Sequence, residues 1–552
     1  MSTSNGKARA VEIIEDDPEK QGSSESEDSE DELGDPSMPE ASMPSTSSKK
    51  QKKKRAKALK ALSALKGGKD KIPENIVNVV LDKVKETGQA PEADEATVRM
   101  ALEQMKIKDV IQGKTGLYGK NKKDTGGHKF WSTQPVPQLG EDAPTSDGYI
   151  EPSRPASELP QEPHPLPKDF EWSTVDITDE AQLRELYELL CANYVEDDDA
   201  SFRFQYSAEF LRWALMPPGY HKEWHVAVRV TSTKKLVAFI AGMPITLRVR
   251  DNVINASEVN FLCVHKKLRS KRLTPVLIKE VTRQCNLKGV FQALYTAGTL
   301  LPTPVSVCKY FHRCLNVPKL VNVRFTHVPQ NQTLARMIRL NKVQDRPRLE
   351  KEGLREMEEK DVPEVTALYE AYMKRFGMAI ILTEEEARHQ FLSGRGIGPT
   401  EKESWRKPRD GQVVWTYVVE NPQTHKITEF FSFYSLPSTI MNHPKYNVLN
   451  AAYLYYYATT TAFQPGADDD GLLKKRLEDL VGDALIVADQ AKFDVFNALT
   501  LMDNVCFLQD LKFGAGDGLL NYYLYNWRTS SLAGLTSTGE FPAGRGVGVP
   551  ML

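Results

Sequence analysis

A chain of 552 residues with a hydrophobic fraction of 40% has room for two or three domains with sizeable cores. The formal net charge is only −2, there is no secretory signal, and no apolar run is long enough to span a bilayer, which argues against a secreted or helical membrane protein. The six cysteines are scattered without a CxxC pair, which argues against a zinc site or a disulfide framework and fits a reducing, cytoplasmic compartment.

The charge is unevenly spread. Residues 1–48 carry 13 acidic and 3 basic side chains, whereas residues 49–72 carry 11 basic and 1 acidic. No aromatic residue precedes Tyr118. Such a segment buries too little apolar surface to offset its conformational entropy, so residues 1–117 are expected to be a mostly disordered extension. The block KKQKKKRAKALK (49–60) is open to several readings: ribosomal RNA, anionic lipid, a nuclear address or a solvated tail. Without interleaved aromatics, any RNA contact is through phosphates.

Composition changes at Tyr118. HKFWSTQPVPQLGE (128–141) places Phe130 and Trp131 beside a proline-punctuated segment, a Pro-rich linker runs to Pro167, and a folded region starts at Phe170. An amphipathic helix over 181–190 precedes YVEDDDASFRFQYS (194–207). Its carboxylates Glu196, Asp197, Asp198 and Asp199 must face solvent or a cation, as an exposed turn or as a site for a basic peptide. KKLVAFIAGMPITLRV (234–249) reads as a hairpin. EVNFLCV (258–264) reads as a buried strand, HKKLRSKRL as a basic loop, and TPVLIKEVTR as a helix with Thr274 as its cap and Pro275 in first position. Lys266, Lys267, Arg269, Lys271 and Arg272 then surround a helix N-terminus. Charge alone leaves an anion site and a solvated loop equally open, and neither GxxxxGK[ST] nor GxGxxG is present. GVFQALYTAGTLLP (289–302) is a strand with Thr296 near its end.

A second unit opens near Leu354, with a helix over 362–376 and strands over 411–420, 427–436 and 451–460. A helix over 472–492, a strand in FDVFNAL and an aromatic strand in KFGAGDGLLNYYLYNW (512–527) follow. Both halves run helix, hairpin strands, central strand, helix, strand, which points to duplication of one α/β unit.

The motifs KFWSTQPVP, YVEDDDASFRF, EVNFLCVHKKLRSKRLTPVLIKE, FYSLPSTIMNHP and KFGAGDGLLNYYLYNW, in this chain order, resemble the N-myristoyltransferase family over roughly 118–552, and the ending ML resembles its fungal members. The resemblance implies an α/β (α+β) fold of two fused GNAT-like acyltransferase halves with pseudo-twofold symmetry. Residues 118–350 would bind acyl-CoA, and 351–552 would bind peptide and supply a catalytic C-terminus. It implies transfer of a C14 acyl group from myristoyl-CoA, as co-substrate, to the α-amine of an N-terminal glycine on nascent proteins. No permanently bound cofactor or metal is implied, and the enzyme would be a cytoplasmic monomer.

Residue by residue, the resemblance places the oxyanion donors at the backbone N–H groups of Phe261 and Leu262. The base would be the terminal carboxylate of Leu552, helped by Asn260 and Thr296. Acyl-CoA would be held by His128, Lys129, Phe130, Trp131, Phe261, Leu262, Cys263, Val264, Ser270, Lys271, Arg272, Leu273 and Thr274. Peptide contacts would be Tyr194, Asp197, Asp199, Phe202, His312, Tyr434, Ser438, Tyr453, Asp517 and Leu519. In one respect the chain departs from the family: the tail after Trp527 is long, and Leu552 reaches the site only if the extra residues loop out. Three rivals stand beside this reading. They are a Cys263/His265 acyl-enzyme, a GNAT-type acetyltransferase using acetyl-CoA, and a ribosome- or RNA-binding protein acting through residues 49–60.

Overall fold

The computed structural model describes residues 130–138, 141–195, 201–398, 408–536, 539 and 545–552. The N-terminal extension with its polybasic block, His128, Lys129, Asp197 and Asp199 lie outside the described residues, as does the side chain of Ser270.

The first half runs β1 (Phe170–Thr174), α1 (Glu180–Asn193), β2 (Phe202–Phe204), α2 (Ala208–Leu215), β3 (His225–Val230), β4 (Leu236–Val249), β5 (Asn252–Val264), α3 (Leu273–Leu287), β6 (Gln292–Ala297) and β7 (Ser306–Cys314). Two short helices, α4 (Val317–Asn322) and α5 (Leu334–Asn341), lead onward. The second half runs β8 (Leu354–Glu356), α6 (Val362–Met373), β9 (Met378–Ile381), α7 (Glu384–Arg388), β10 (Val414–Glu420), β11 (Ile427–Ser435), β12 (Ser438–Ile440), β13 (Val448–Leu449), β14 (Ala451–Thr459), α8 (Leu472–Gln490), β15 (Val495–Leu499) and β16 (Gly514–Tyr525).

One mixed sheet carries both halves, in the order β1-β3-β4-β5-β6-β16-β7-β15-β14-β11-β10-β8, with β9 added to β4. Read inward from either end, the pairings are the same: three antiparallel, one parallel, one antiparallel. The parallel pairs are β5 with β6 and β14 with β15. The expected duplication is therefore visible in the strand order. The halves also exchange their last strands. β7 follows β6 in the chain but pairs with β15, and β16 follows β15 but pairs with β6. A single apolar core joins residues of both halves, from Leu183 to Met551.

Local chemistry accounts for the elements. Asp179 caps α1 by accepting from the N–H groups of Ala181 and Gln182, and Leu183, Leu186, Leu189 and Leu190 form its buried stripe. The stretch expected to be a hairpin over 234–249 is one long strand, β4. Its Pro244 falls where the strand changes partners: β3 pairs as far as Ala241 and β9 from Thr246, so no ladder N–H is required on that edge. The stretch read as a basic loop is a 3-10 turn over Lys266–Lys271. α3 begins at Leu273, one residue before the expected cap. Its N-cap is Arg272, in the left-handed region at φ 55°, and Thr274 lies inside the first turn.

Candidate active site

In each half the parallel pair separates soon after it forms. β5 runs with β6 only from Ala256 to Val259, and β14 runs with β15 only from Ala451 to Tyr453. Beyond that point each central strand carries a bulge. Opposite β4 the partners jump from Asn260 to Cys263, which places Phe261 and Leu262 in the bulge, with Phe261 at φ 57°. The extra residue takes these two N–H groups out of step with the β4 ladder. Tyr194 packs beside this bulge, its ring 6.1 Å from that of Phe261, and burial pushes the pKa of its hydroxyl well up.

Beneath the bulge lies a narrow, partly open pocket with almost wholly apolar walls. Ile240, Val259 and Leu262 line it from the sheet, Ile278 and Val281 from α3, and Tyr295 and Tyr525 from the strands beyond. Trp131 closes one side. It is buried, and its ring stacks on Tyr295 at 5.4 Å, which in turn stacks on Tyr523 at 5.1 Å. Trp131 Nε1 and the Tyr295 hydroxyl are buried without a hydrogen-bond partner among the described residues, so the lining offers two polar groups to a ligand. Phe130 packs edge-on against Trp131.

α3, whose Ile278 and Val281 line this pocket, begins at Leu273 with no side-chain cap at its N-terminus. Its free N–H groups and the exposed Lys271 and Arg272 form an anion-binding corner, with Leu273 buried and Thr274 half-buried behind them. Arg269 is engaged elsewhere: it donates to the Asn193 carbonyl and fixes the 3-10 turn to α1. Cys263 and Val264 are buried in the end of β5. The Cys263 thiol faces the Leu189 carbonyl at 4.0 Å, and burial pushes its pKa up to about 12. His265 Nδ1 accepts from the Lys267 N–H and caps the turn. A protonated thiol beside an occupied imidazole removes the basis for the Cys263/His265 acyl-enzyme.

Alternation from the Glu258–Leu294 pair puts Asn260 and Thr296 on one face of the sheet, just past the point where β5 and β6 part, and Thr296 pairs with Tyr522 of β16. Residues in one row of a sheet share a face. On that face the Tyr522 hydroxyl donates to the Val549 carbonyl at 2.7 Å. The tail therefore arrives on the side of the sheet that carries Asn260 and Thr296. Val547, Val549 and Met551 are buried, and Leu552 packs against the core that contains Phe261. The extra length is absorbed earlier: Gly546 lies so close to the Ala533 backbone that a Cβ would overlap it, which closes the neck of the intervening loop.

The expected peptide residues form a second, aromatic wall. Tyr194 meets Tyr206 and Phe261 at 5.6 and 6.1 Å, and Tyr434 stacks on Tyr453 at 5.3 Å. Phe204 bridges Tyr206 and Tyr453. Phe202 and His312 both pack edge-on against Phe325. His312 Nδ1 donates to Asn497 Oδ1 at 2.7 Å, and burial lowers its pKa. Ser438 is buried in the small sheet where β12 pairs with β2 and β13. A bulge in β16 between Ala515 and Leu519 turns Asp517 outward, close enough to His312 for its charge to be felt there.

Two further residues of the site were not among those expected from the sequence. Tyr310 lies near Tyr194, Tyr434 and Tyr453, and alternation along β7 puts it on the face of His312. Glu258 is the more consequential. It is buried, accepts from Asn260 Nδ2 at 2.6 Å, and has its pKa pushed up to about 7 by burial, against the pull of that hydrogen bond. The signal for it was an acid two residues from Asn260 in an otherwise apolar strand. Among the described residues no group of acidic, His and Cys side chains could hold a metal ion, and no helix is long and apolar enough to cross a membrane.

Known proteins share this architecture. The profile of the N-terminal domain of myristoyl-CoA:protein N-myristoyltransferase matches residues 149–308, and that of the C-terminal domain matches 322–550. A glycylpeptide N-tetradecanoyltransferase of Emericella nidulans is 51% identical over 459 residues, covering 82% of this chain and 89% of its own. The enzyme of the same name from Schizosaccharomyces pombe is 53% identical over 408 residues, covering 74% and 84%. The crystal structure of Saccharomyces cerevisiae N-myristoyltransferase with bound myristoyl-CoA superposes with a TM-score of 0.72 at 47% identity, covering 78% of this chain and 100% of that one. Splayed sheet, uncapped helix, exchanged strands and both matched domains lead to one assignment: the chain belongs to the myristoyl-CoA:protein N-myristoyltransferase family.

Proposed function

We propose that this enzyme transfers the myristoyl group of myristoyl-CoA to the α-amine of an N-terminal glycine on a protein, by direct attack. The observation that carries the reading is the bulge at Phe261–Leu262, set between an apolar pocket walled by a helix with an uncapped N-terminus and the buried end of the chain. Acyl-chain burial favours a long chain over acetyl: at roughly 0.8 kcal/mol per methylene, a dozen further buried methylenes are worth on the order of 10 kcal/mol gross.

In this reading the Leu552 carboxylate takes a proton from the glycine ammonium and orients the neutral amine, with Asn260 and Thr296 fixing its approach. The amine nitrogen bonds to the thioester carbonyl carbon, and the developing oxyanion takes the N–H groups of Phe261 and Leu262. The C–S bond then breaks, and the second proton of the nitrogen passes to the departing sulfur, so that CoA leaves as the thiol. Lys271, Arg272 and the first turn of α3 hold the CoA phosphates, and Trp131 covers the pantetheine. The aromatic wall from Tyr194 to Tyr453, with His312, Ser438, Asp517 and Leu519, receives the peptide. Asp197 and Asp199 are assigned to a basic residue of the substrate from sequence alone.

Residues 118–350 chiefly serve acyl-CoA and 351–552 the peptide. The protein acts as a cytoplasmic monomer, supported by six free cysteines. The polybasic block at 49–60 serves location, as a ribosome anchor, and a chain beginning at Tyr118 retains full transfer. Rates measured with C2, C14 and C16 thioesters and a glycine-initiated peptide test the reading. It requires C14 to be preferred and an alanine-initiated peptide to be inert; equal use of acetyl-CoA would overturn it in favour of an acetyltransferase.

A further inference from the structure

The two halves are copies, yet the turns that precede their equivalent helices carry opposite charge. Before α3 the chain reads HKKLRSKR, and before α8 it reads ADDDG. The second turn meets cations from within the molecule. Asp468 accepts from Arg375 Nη2 at 3.1 Å and from Arg545 Nη2. Arg545 Nε also donates to Asp503 Oδ1 at 2.7 Å, and Asp503 is almost fully buried and takes the Tyr372 hydroxyl at 2.6 Å. Arg545 stands at the point where the chain returns from the tail loop. From there inward the backbone is held at every step. Arg545 O accepts from Gly377 N at 2.7 Å, and Gly546 O accepts from Met378 N at 2.9 Å. Gly548 N then donates to Met378 O at 2.7 Å, and Val547 O accepts from Met502 N at 2.8 Å.

We infer that the second half's counterpart of the CoA phosphate turn has become a cation clamp, and that Arg545, gripped by Asp468 and Asp503, is a positioning residue that sets where the Leu552 carboxylate lies. The inference rests on the terminal-carboxylate reading above. A buried aspartate paired with a planar guanidinium fixes direction as well as position, which the seven residues that follow need if the end of the chain is to hold an amine in line. The clamp is far along the chain from the reacting atoms. It acts only through the tail, and it leaves the acyl-CoA site on the other half untouched.

Arg545→Ala, Arg545→Lys and Asp468→Ala are compared in the full chain for kcat, for myristoyl-CoA affinity, and for the rate at which a carboxypeptidase removes Leu552, read by intact mass. In Arg545→Ala, kcat is expected to fall by about tenfold or more and trimming to accelerate by a similar factor, with myristoyl-CoA affinity unchanged. Arg545→Lys keeps one ion pair and recovers part of both. Asp468→Ala removes only the exposed arm, so it folds and gives the same effects in weaker form. Adding Arg545→Ala to a chain already lacking Leu552 brings no further loss of kcat. Trimming of Arg545→Ala, or of Asp468→Ala if the first does not fold, at the parent rate overturns the clamp. So does a further loss in the Leu552-deleted chain. Full turnover after Leu552 deletion sinks the carboxylate reading instead, whatever the trimming rates.

Discussion

Glu258 is the residue whose environment most changes what the site does with pH. Burial holds its carboxyl neutral up to about pH 7, well above the ordinary 4.5. The folded state therefore keeps a proton that the unfolded chain releases. This contribution to stability is full below pH 4.5 and is lost as pH rises through 7. Glu258→Gln keeps an oxygen for Asn260 Nδ2 and removes the titration. The variant is predicted to gain stability relative to the parent as pH is raised from 5 to 8, on the order of 1–3 kcal/mol. Paired melting curves across that range check it, and a pH-independent offset contradicts it. Cys263, by contrast, reads as chemically suggestive in the sequence and is inert in the fold, because burial outweighs the pull of Arg269 and Lys266 and keeps the thiol protonated. Sequence cannot tell such residues apart: Glu258 and Cys263 both lie in one apolar strand, and burial depth and partner decide their roles.

At the scale of elements, the strands and helices were largely legible from periodicity, and the irregularities that make the site were not. EVNFLCV reads as a uniform strand, whereas the positive φ of Phe261 and the bulge around it depend on pairing with β4. Thr274 carries the usual chemistry of a cap, but Arg272 adopts the left-handed conformation and starts the helix two residues early, which leaves its first turn without a side-chain cap. Two predictions belong here. Trp131→Ala removes a buried ring stacked on Tyr295 and is expected to cost about 3–5 kcal/mol of stability and to weaken myristoyl-CoA binding, read by calorimetry. Unaltered affinity would separate Trp131 from the ligand. In the β16 bulge, a Cβ at Gly516 would overlap the His312 ring. Gly516→Ala is predicted to raise KM for the peptide several-fold at unchanged acyl-CoA affinity, since His312 and Asp517 belong to the peptide wall. A change confined to acyl-CoA would reverse that assignment.

For the whole molecule, the coarse helix–strand order shared by the two halves was visible in the sequence, while the exchange of β7 and β16 was not, because sequence order alone pairs each last strand with its own half. The exchange makes the halves mutually dependent. Residues 141–350 expressed alone leave β6 and β7 without β16 and are predicted to be aggregated or unfolded by circular dichroism and sizing, while coexpression with 351–552 restores transfer. An independently folded first half would contradict the exchange. The same architecture answers the long tail. Gly546 against Ala533 closes the loop, so chain length no longer sets where the end lies, and residues 547–551 run buried to the face that carries Asn260 and Thr296. The central claim is that this end supplies the base. Deleting Leu552 moves the terminal carboxylate back by one residue, up to ~3.5 Å, beyond hydrogen-bond reach of an amine it once held. Single-turnover transfer to a glycine peptide, measured beside myristoyl-CoA affinity, tests it directly. The account predicts a transfer rate lower by roughly a hundredfold or more at unchanged affinity, and a transfer rate equal to the parent's would contradict it.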